Sequence, residues 1–131
     1  MYELSTRSLR KLDSVHDDLA RVARKAIQIT RVDFGISEGV RSYQRQVELM
    51  KDKKTTTLHS LHLLQNDGYS HAIDVFAYMN GKTIFNDPKY YGPIVQAFMT
   101  TAISLGVQIE CGHLWKNFHD SFHFQLNQKY Y

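Results

Sequence analysis

The chain has 131 residues, 43% hydrophobic, 12% aromatic and 22% charged, with a net charge of +3. This is one domain's length with enough apolar content for a core, so a disordered chain is excluded; the mild basic bias suits an anionic polymer, cell-wall material or nucleic acid, without selecting between them. One cysteine, Cys111, rules out an internal disulfide and a thiolate zinc finger, and reads as a buried core thiol.

No run of about 18 apolar residues occurs, so no membrane-spanning helix is expected. The opening MYELSTRSLRKLDS has no apolar secretory core. The expectation is synthesis in a cytoplasm without a signal peptide.

Residues 4–30 predict helix, capped by Ser5 or Ser8, with a break near His16 and the cleaner part over 17–30. Leu9, Leu12, Val15, Leu19, Val22, Ala23, Ala26, Ile27 and Ile29 recur at three- and four-residue steps, the period of one apolar face, and Arg21, Arg24 and Lys25 fall on the wet side. Residues 34–40 predict a short strand in which Phe34, Ile36 and Glu38 alternate with the rest. Arg41 leaves the strand end, where it can point into a cleft; the alternative is an ordinary surface position. A helix follows over 43–51, then a polar, Thr-rich loop to residue 58.

The stretch over 57–78, TLHSLHLLQNDGYSHAIDVFAY, gathers three histidines, two aspartates and a strand-like run. Imidazole and carboxylate are ligand types that zinc takes. Gln65-Asn66-Asp67-Gly68 carries turn chemistry, and 70–78 predicts a strand. Alternation puts Ala72, Asp74 and Phe76 on one face and His71, Ile73 and Val75 on the other. Asp74 is a carboxylate inside an apolar strand, where burial without a partner costs several kcal/mol. A metal is the simplest partner; backbone amides or Arg41 are the alternative.

Asn80-Gly81 is a hairpin-type turn, and 82–85 returns as a strand. Asn86-Asp87-Pro88 opens a helix whose buried face runs Tyr91, Ile94, Val95, Phe98, Met99, Ala102, Ile103 and Leu105 before Gly106 ends it. Residues 107–111 and 122–126 predict strands. In the last, Phe122, Phe124 and Leu126 face one side, His123 and Gln125 the other. His123 stands three residues after Asp120, so the pair can set a metal ligand and a nearby carboxylate across one turn. Helices followed by strands broken by one helix give an α+β class: a small antiparallel sheet with helices packed on one face.

Five pieces occur together in order: Glu38-Gly39-Val40-Arg41-Ser42, Ser60-Leu61-His62, His71-Ala72-Ile73-Asp74, Gly112-His113-Leu114-Trp115 and Asp120-Ser121-Phe122-His123-Phe124-Gln125. On these the chain resembles the VanY-like D-alanyl-D-alanine carboxypeptidase superfamily, and within it the phage-endolysin L-alanyl-D-glutamate endopeptidases. The resemblance spans about residues 8–126. It implies a hedgehog/D-Ala-D-Ala peptidase-like fold and one zinc peptidase domain over 1–131. It also implies Zn2+ held by His62, Asp74 and His123, with Asp120 as general base and Arg41 on the substrate carbonyl or carboxylate. Ser60, His71, Trp115 and Tyr78 are the candidate substrate contacts, core packing being the alternative for Trp115 and Tyr78. His59, His113 and His119 are expected to be exposed or to line the cleft.

Three departures from the family pattern matter, one of them that Ser70-His71 stands where Gly-His is common. His62 and Asp74 are separated by eleven residues where the pattern has six, so about five residues near 64–69 must bulge out; a gap-free alignment would instead make Asp67 the first ligand. The family's final Glu is Gln125, and its Gly-Gly-Asp-Trp is Gly112-His113-Leu114-Trp115. The implied substrate is the peptide stem of peptidoglycan, cut at L-alanyl-D-glutamate by a phage or phage-derived lysis enzyme. The alternatives are a D,D- or L,D-carboxypeptidase, or an inactive zinc-containing wall-binding module. A monomer is expected, acting in the periplasm after release, with no nucleic-acid partner and no membrane insertion.

Overall fold

The computed structural model describes residues 1–53, 57–84, 87–112 and 122–131. In chain order the elements are α1 (Thr6–Lys11), α2 (Asp17–Ile29), β1 (Asp33–Glu38), α3 (Tyr43–Lys51), β2 (Ala72–Met79), β3 (Lys82–Ile84), α4 (Pro88–Leu105), β4 (Ile109–Cys111) and β5 (Phe122–Leu126). Phe85 and Asn86, expected at a strand end and a helix start, lie outside the described residues. Among the described residues, no helix is long and apolar enough to cross a membrane.

The N-terminal helical stretch is two helices. Ser5 caps α1 by accepting the Ser8 N–H at 3.1 Å. Ser8 is buried instead, and its Oγ accepts the Ile36 N–H at 3.0 Å, which fastens α1 to β1. His16 caps α2 through Nδ1, which accepts the Asp18 N–H. The break resets the phase of the apolar stripe, so Leu9 is exposed. Ile29 falls at the stripe's margin and is exposed as well. Ile103 was expected on the buried face of α4, but it lies round the helix from Tyr91, Ile94, Phe98 and Ala102 and is 78% exposed. Asp87 and Pro88 open α4, and Gly106, at φ 70°, closes it in the left-handed conformation that a side chain disfavours.

The sheet is antiparallel throughout, in the order β1-β2-β5-β4, with β3 pairing with the end of β2 beyond β5. One face carries Ile73, Val75, Ala77, Phe122, Phe124 and Leu126 into a core shared with α2 and α4. There Phe98 stacks on Phe124 and Tyr91 on Phe122, both pairs with ring centroids 3.9 Å apart. Cys111 is buried. The opposite face of the sheet carries Asp74 on β2 and His123 on β5, which are direct cross-strand partners.

A β-bulge separates Glu38 from the core. Ile36 pairs with Val75, but Glu38 pairs with Asp74, so two residues of β1 span one step of β2. Strict alternation would aim Glu38 inward with Phe34 and Ile36. The extra residue turns it to the Asp74 face and ends the strand there, short of Val40.

Candidate metal centre

His62, Asp74 and His123 each present one ligand atom, and these atoms lie within 4.8 Å of one another. Asp74 and His123 are placed by the β2–β5 register. His62 comes from a tight turn in which Ser60 Oγ accepts the His62 N–H and Ser60 O accepts the Leu63 N–H. The Arg41 N–H donates to His62 O at 2.8 Å and ties this turn to the end of β1. His62 is 2% exposed.

The hydrogen bonds around each ring decide which nitrogens carry protons. His62 Nδ1 lies 2.8 Å from Gly39 O, a carbonyl that can only accept, so Nδ1 donates and a neutral His62 turns a bare Nε2 toward Asp74 Oδ1 at 3.2 Å. His123 Nε2 lies 2.8 Å from Gln125 Oε1, so it donates too. That leaves Nδ1 of a neutral His123 facing the same Asp74 oxygen at 2.9 Å. Two imidazole lone pairs and a carboxylate therefore converge on one point, an arrangement that repels itself unless a cation sits there. Two nitrogens and an oxygen are a donor set that fits zinc's preferences.

A proton can take the cation's place between His62 and Asp74. Burial opposes charge on His62, but the Asp74 carboxylate outweighs it and the pKa is raised. Burial likewise opposes the charge on Asp74, yet the two histidines hold its pKa well below the usual carboxylate range.

Arg41 reaches the same site. Its Nη2 is 3.9 Å from Asp74 Oδ2. Its Nε donates to Glu38, and its Nη1 donates to Gln46 Oε1 at 2.8 Å and Ser60 Oγ at 3.4 Å. Gln46 is fully buried and donates to Thr57 O at 2.6 Å. The guanidinium is thus held from three sides with one edge turned to the site. Glu38 and Gln46 are partners of Arg41 to which sequence reasoning gave no role, although Glu38 opens one of the quoted motif pieces. Glu38 becomes a partner only through the bulge, and Gln46 is the one buried residue of α3, whose apolar Val47 and Leu49 are only half-buried.

Gly39 places the carbonyl that orients His62. A Cβ at this position would lie 1.9 Å from Lys11 O at the end of α1, a backbone atom that cannot swing aside. Gly39→Ala is expected to destabilise the protein by ~1–3 kcal/mol, the range for forced overpacking. Urea unfolding checks this, and a midpoint equal to that of the unmodified protein would show that α1 yields without cost.

Tyr78 shares the Asp74 face of β2 and is exposed. His59 is exposed. His71 is not brought to the centre: it is 3% exposed on the other side of β2, with Nε2 2.7 Å from Asp67 Oδ2 and Nδ1 accepting from Gln128 at 3.0 Å. Asp67 is drawn away with it, so the geometry assembles His62 rather than Asp67 with Asp74 and His123. The residues over 64–69 close on themselves through Gln65 N–H to Tyr69 O, and Gln65 Nε2 supports the His62 turn at Leu63 O. Asp120, Trp115, His113 and His119 lie outside the described residues.

Comparison with known proteins finds relatives along most of the chain. The L-alanyl-D-glutamate peptidase of Escherichia phage T5 is 26% identical over 129 residues, covering 91% of this chain and 88% of that protein. The crystal structure of Serratia marcescens L-Ala D-Glu endopeptidase ChiX is similar with a TM-score of 0.84 and 38% identity, over 95% of this chain and 90% of that one. The sequence model of the phage L-alanyl-D-glutamate peptidase family matches residues 1–131, and the chain belongs to that family.

Proposed function

We propose that the chain acts as a single-domain, zinc-dependent endopeptidase on the peptide stem of peptidoglycan, cutting the L-alanyl-D-glutamate bond in the periplasm as a phage or phage-derived lysis enzyme. The observation that carries this reading is the convergence of His62 Nε2, His123 Nδ1 and the Asp74 carboxylate, each imidazole tautomer set by an outer partner. Zinc held by these three would lower the pKa of a water toward ~7 and polarise the scissile carbonyl. Asp120 takes a proton from the attacking water and passes it to the leaving amine. Arg41, fixed by Glu38 and Gln46, offsets the negative charge that develops on the carbonyl oxygen. Ser60 holds both Arg41 and the His62 turn; Tyr78 and Trp115 are proposed to line the groove.

The test is mass spectrometry of fragments released from purified Gram-negative sacculi, with zinc and with a chelator. Free peptides beginning at D-glutamate, lost on chelation and restored by zinc, are the expected result. Release of D-alanine alone would move the activity to a carboxypeptidase. No zinc-dependent product would leave a wall-binding module.

A further inference from the structure

We infer that Glu110 is a positioning residue for the metal centre, acting through Gln125 to fix the proton on His123; the inference rests on the zinc reading above. Glu110 on β4 lies directly across from Gln125 on β5. Gln125 Nε2 donates to Glu110 Oε2 at 2.9 Å, and Gln125 Oε1 accepts from His123 Nε2 at 2.8 Å.

A primary amide has a donor end and an acceptor end of nearly equal shape, so Gln125 alone does not determine which end meets His123. An ionised carboxylate can only accept. Glu110 therefore takes the NH2 end, Oε1 turns to His123, Nε2 keeps the proton, and the lone pair stays on Nδ1, beside Asp74. With the amide reversed, an N–H would meet Nε2. The proton would then move to Nδ1, the one nitrogen that has to ligate. The family pattern has Glu in place of Gln125. In this chain the carboxylate stands one side chain further out, on the neighbouring strand, and its direction is passed on through the amide.

Zinc affinity, measured by competition with a chromophoric chelator, tests this in Glu110→Gln, in Gln125→Leu and in the swap Glu110→Gln/Gln125→Glu. Glu110→Gln lets both amides turn either way and is expected to weaken zinc binding ~10–100-fold, the usual effect of losing an outer partner of a ligating histidine. Gln125→Leu cuts the relay at its other end and is expected to do the same. In the swap, Glu at 125 accepts directly from His123 and from the amide at 110, and most of the lost affinity is expected to return. The imidazole nitrogen spectrum of the metal-free protein gives a second readout. His123 should be protonated on Nε2 in the unmodified protein and the swap, and on a mixture of nitrogens in Glu110→Gln. Zinc affinity equal to the unmodified protein's in either single variant overturns the inference, as does a swap no tighter than Glu110→Gln. An unmodified protein that binds no zinc overturns the zinc reading itself, and the inference with it.

Discussion

Asp74→Asn is expected to give a folded protein that loses zinc on dialysis and releases no stem peptides from sacculi. Asp74 is the only anion among the three proposed ligands, and its Oδ1 receives both imidazoles, at 3.2 and 2.9 Å. Asn keeps the shape but removes the charge, and it brings an N–H2 that can donate to a bare imidazole nitrogen. The substitution thus weakens the zinc-bound state and stabilises the metal-free one. Structural zinc sites bind with about 10–16 kcal/mol, so each of four ligands carries roughly 3–4 kcal/mol. At about 1.4 kcal/mol per tenfold, losing one ligand weakens binding roughly 100- to 1000-fold. Chelator competition gives the affinity, and thermal unfolding of the metal-free form shows that the fold is kept. Equimolar zinc retained by Asp74→Asn after dialysis, or hydrolysis at a rate near that of the unmodified protein, would remove Asp74 from the metal centre.

What could be read from the sequence was what is encoded locally. The span of β5 follows from Phe122, Phe124 and Leu126 alternating against His123 and Gln125, and the structure repeats that alternation in its burial. Asp87-Pro88 and Gly106 bound α4 because capping acts over a few residues. Asp74 stood out because a carboxylate in an apolar strand must have a partner.

The partners themselves were mostly not legible. Glu38 was quoted with its motif, but its position on the strand was read as plain alternation, since a bulge depends on how two strands pair and not on the strand's own pattern. Gln46 carried no mark within its helix, because its burial comes from Thr57 and Arg41 arriving by another route. Glu110 carried no signal at all: its place opposite Gln125 is set by sheet order. The residues over 64–69 were legible as an insertion, but not its docking. Asp67 seals it against His71 on the far side of β2, so His62 and Asp74 meet as though the extra residues were absent.

Asp120 is proposed as general base because the family resemblance implies it, and the described part of the site bears on that proposal. Each carboxylate there already has an assignment: Asp74 between the two histidines, Glu38 on Arg41 and Glu110 on Gln125. None of these can take a proton from the attacking water without giving up the contact that orders the centre. The stretch leading into β5 supplies Asp120, three residues before His123. Asp120→Ala is therefore expected to lower kcat by ~10²–10⁴, the usual contribution of a general acid–base group. Zinc affinity and thermal stability should stay at the unmodified protein's values, because Asp120 has no part in the proposed ligand set. This separates it from Asp74→Asn, in which zinc and activity are lost together. Steady-state release of stem peptides and zinc content measured on the same preparation decide the matter. Turnover within about tenfold of the unmodified protein, well short of a general base's usual share, would assign the proton transfer elsewhere, with His113 and His119 of the same stretch next to be substituted. A fall in zinc content would instead place Asp120 among the ligands.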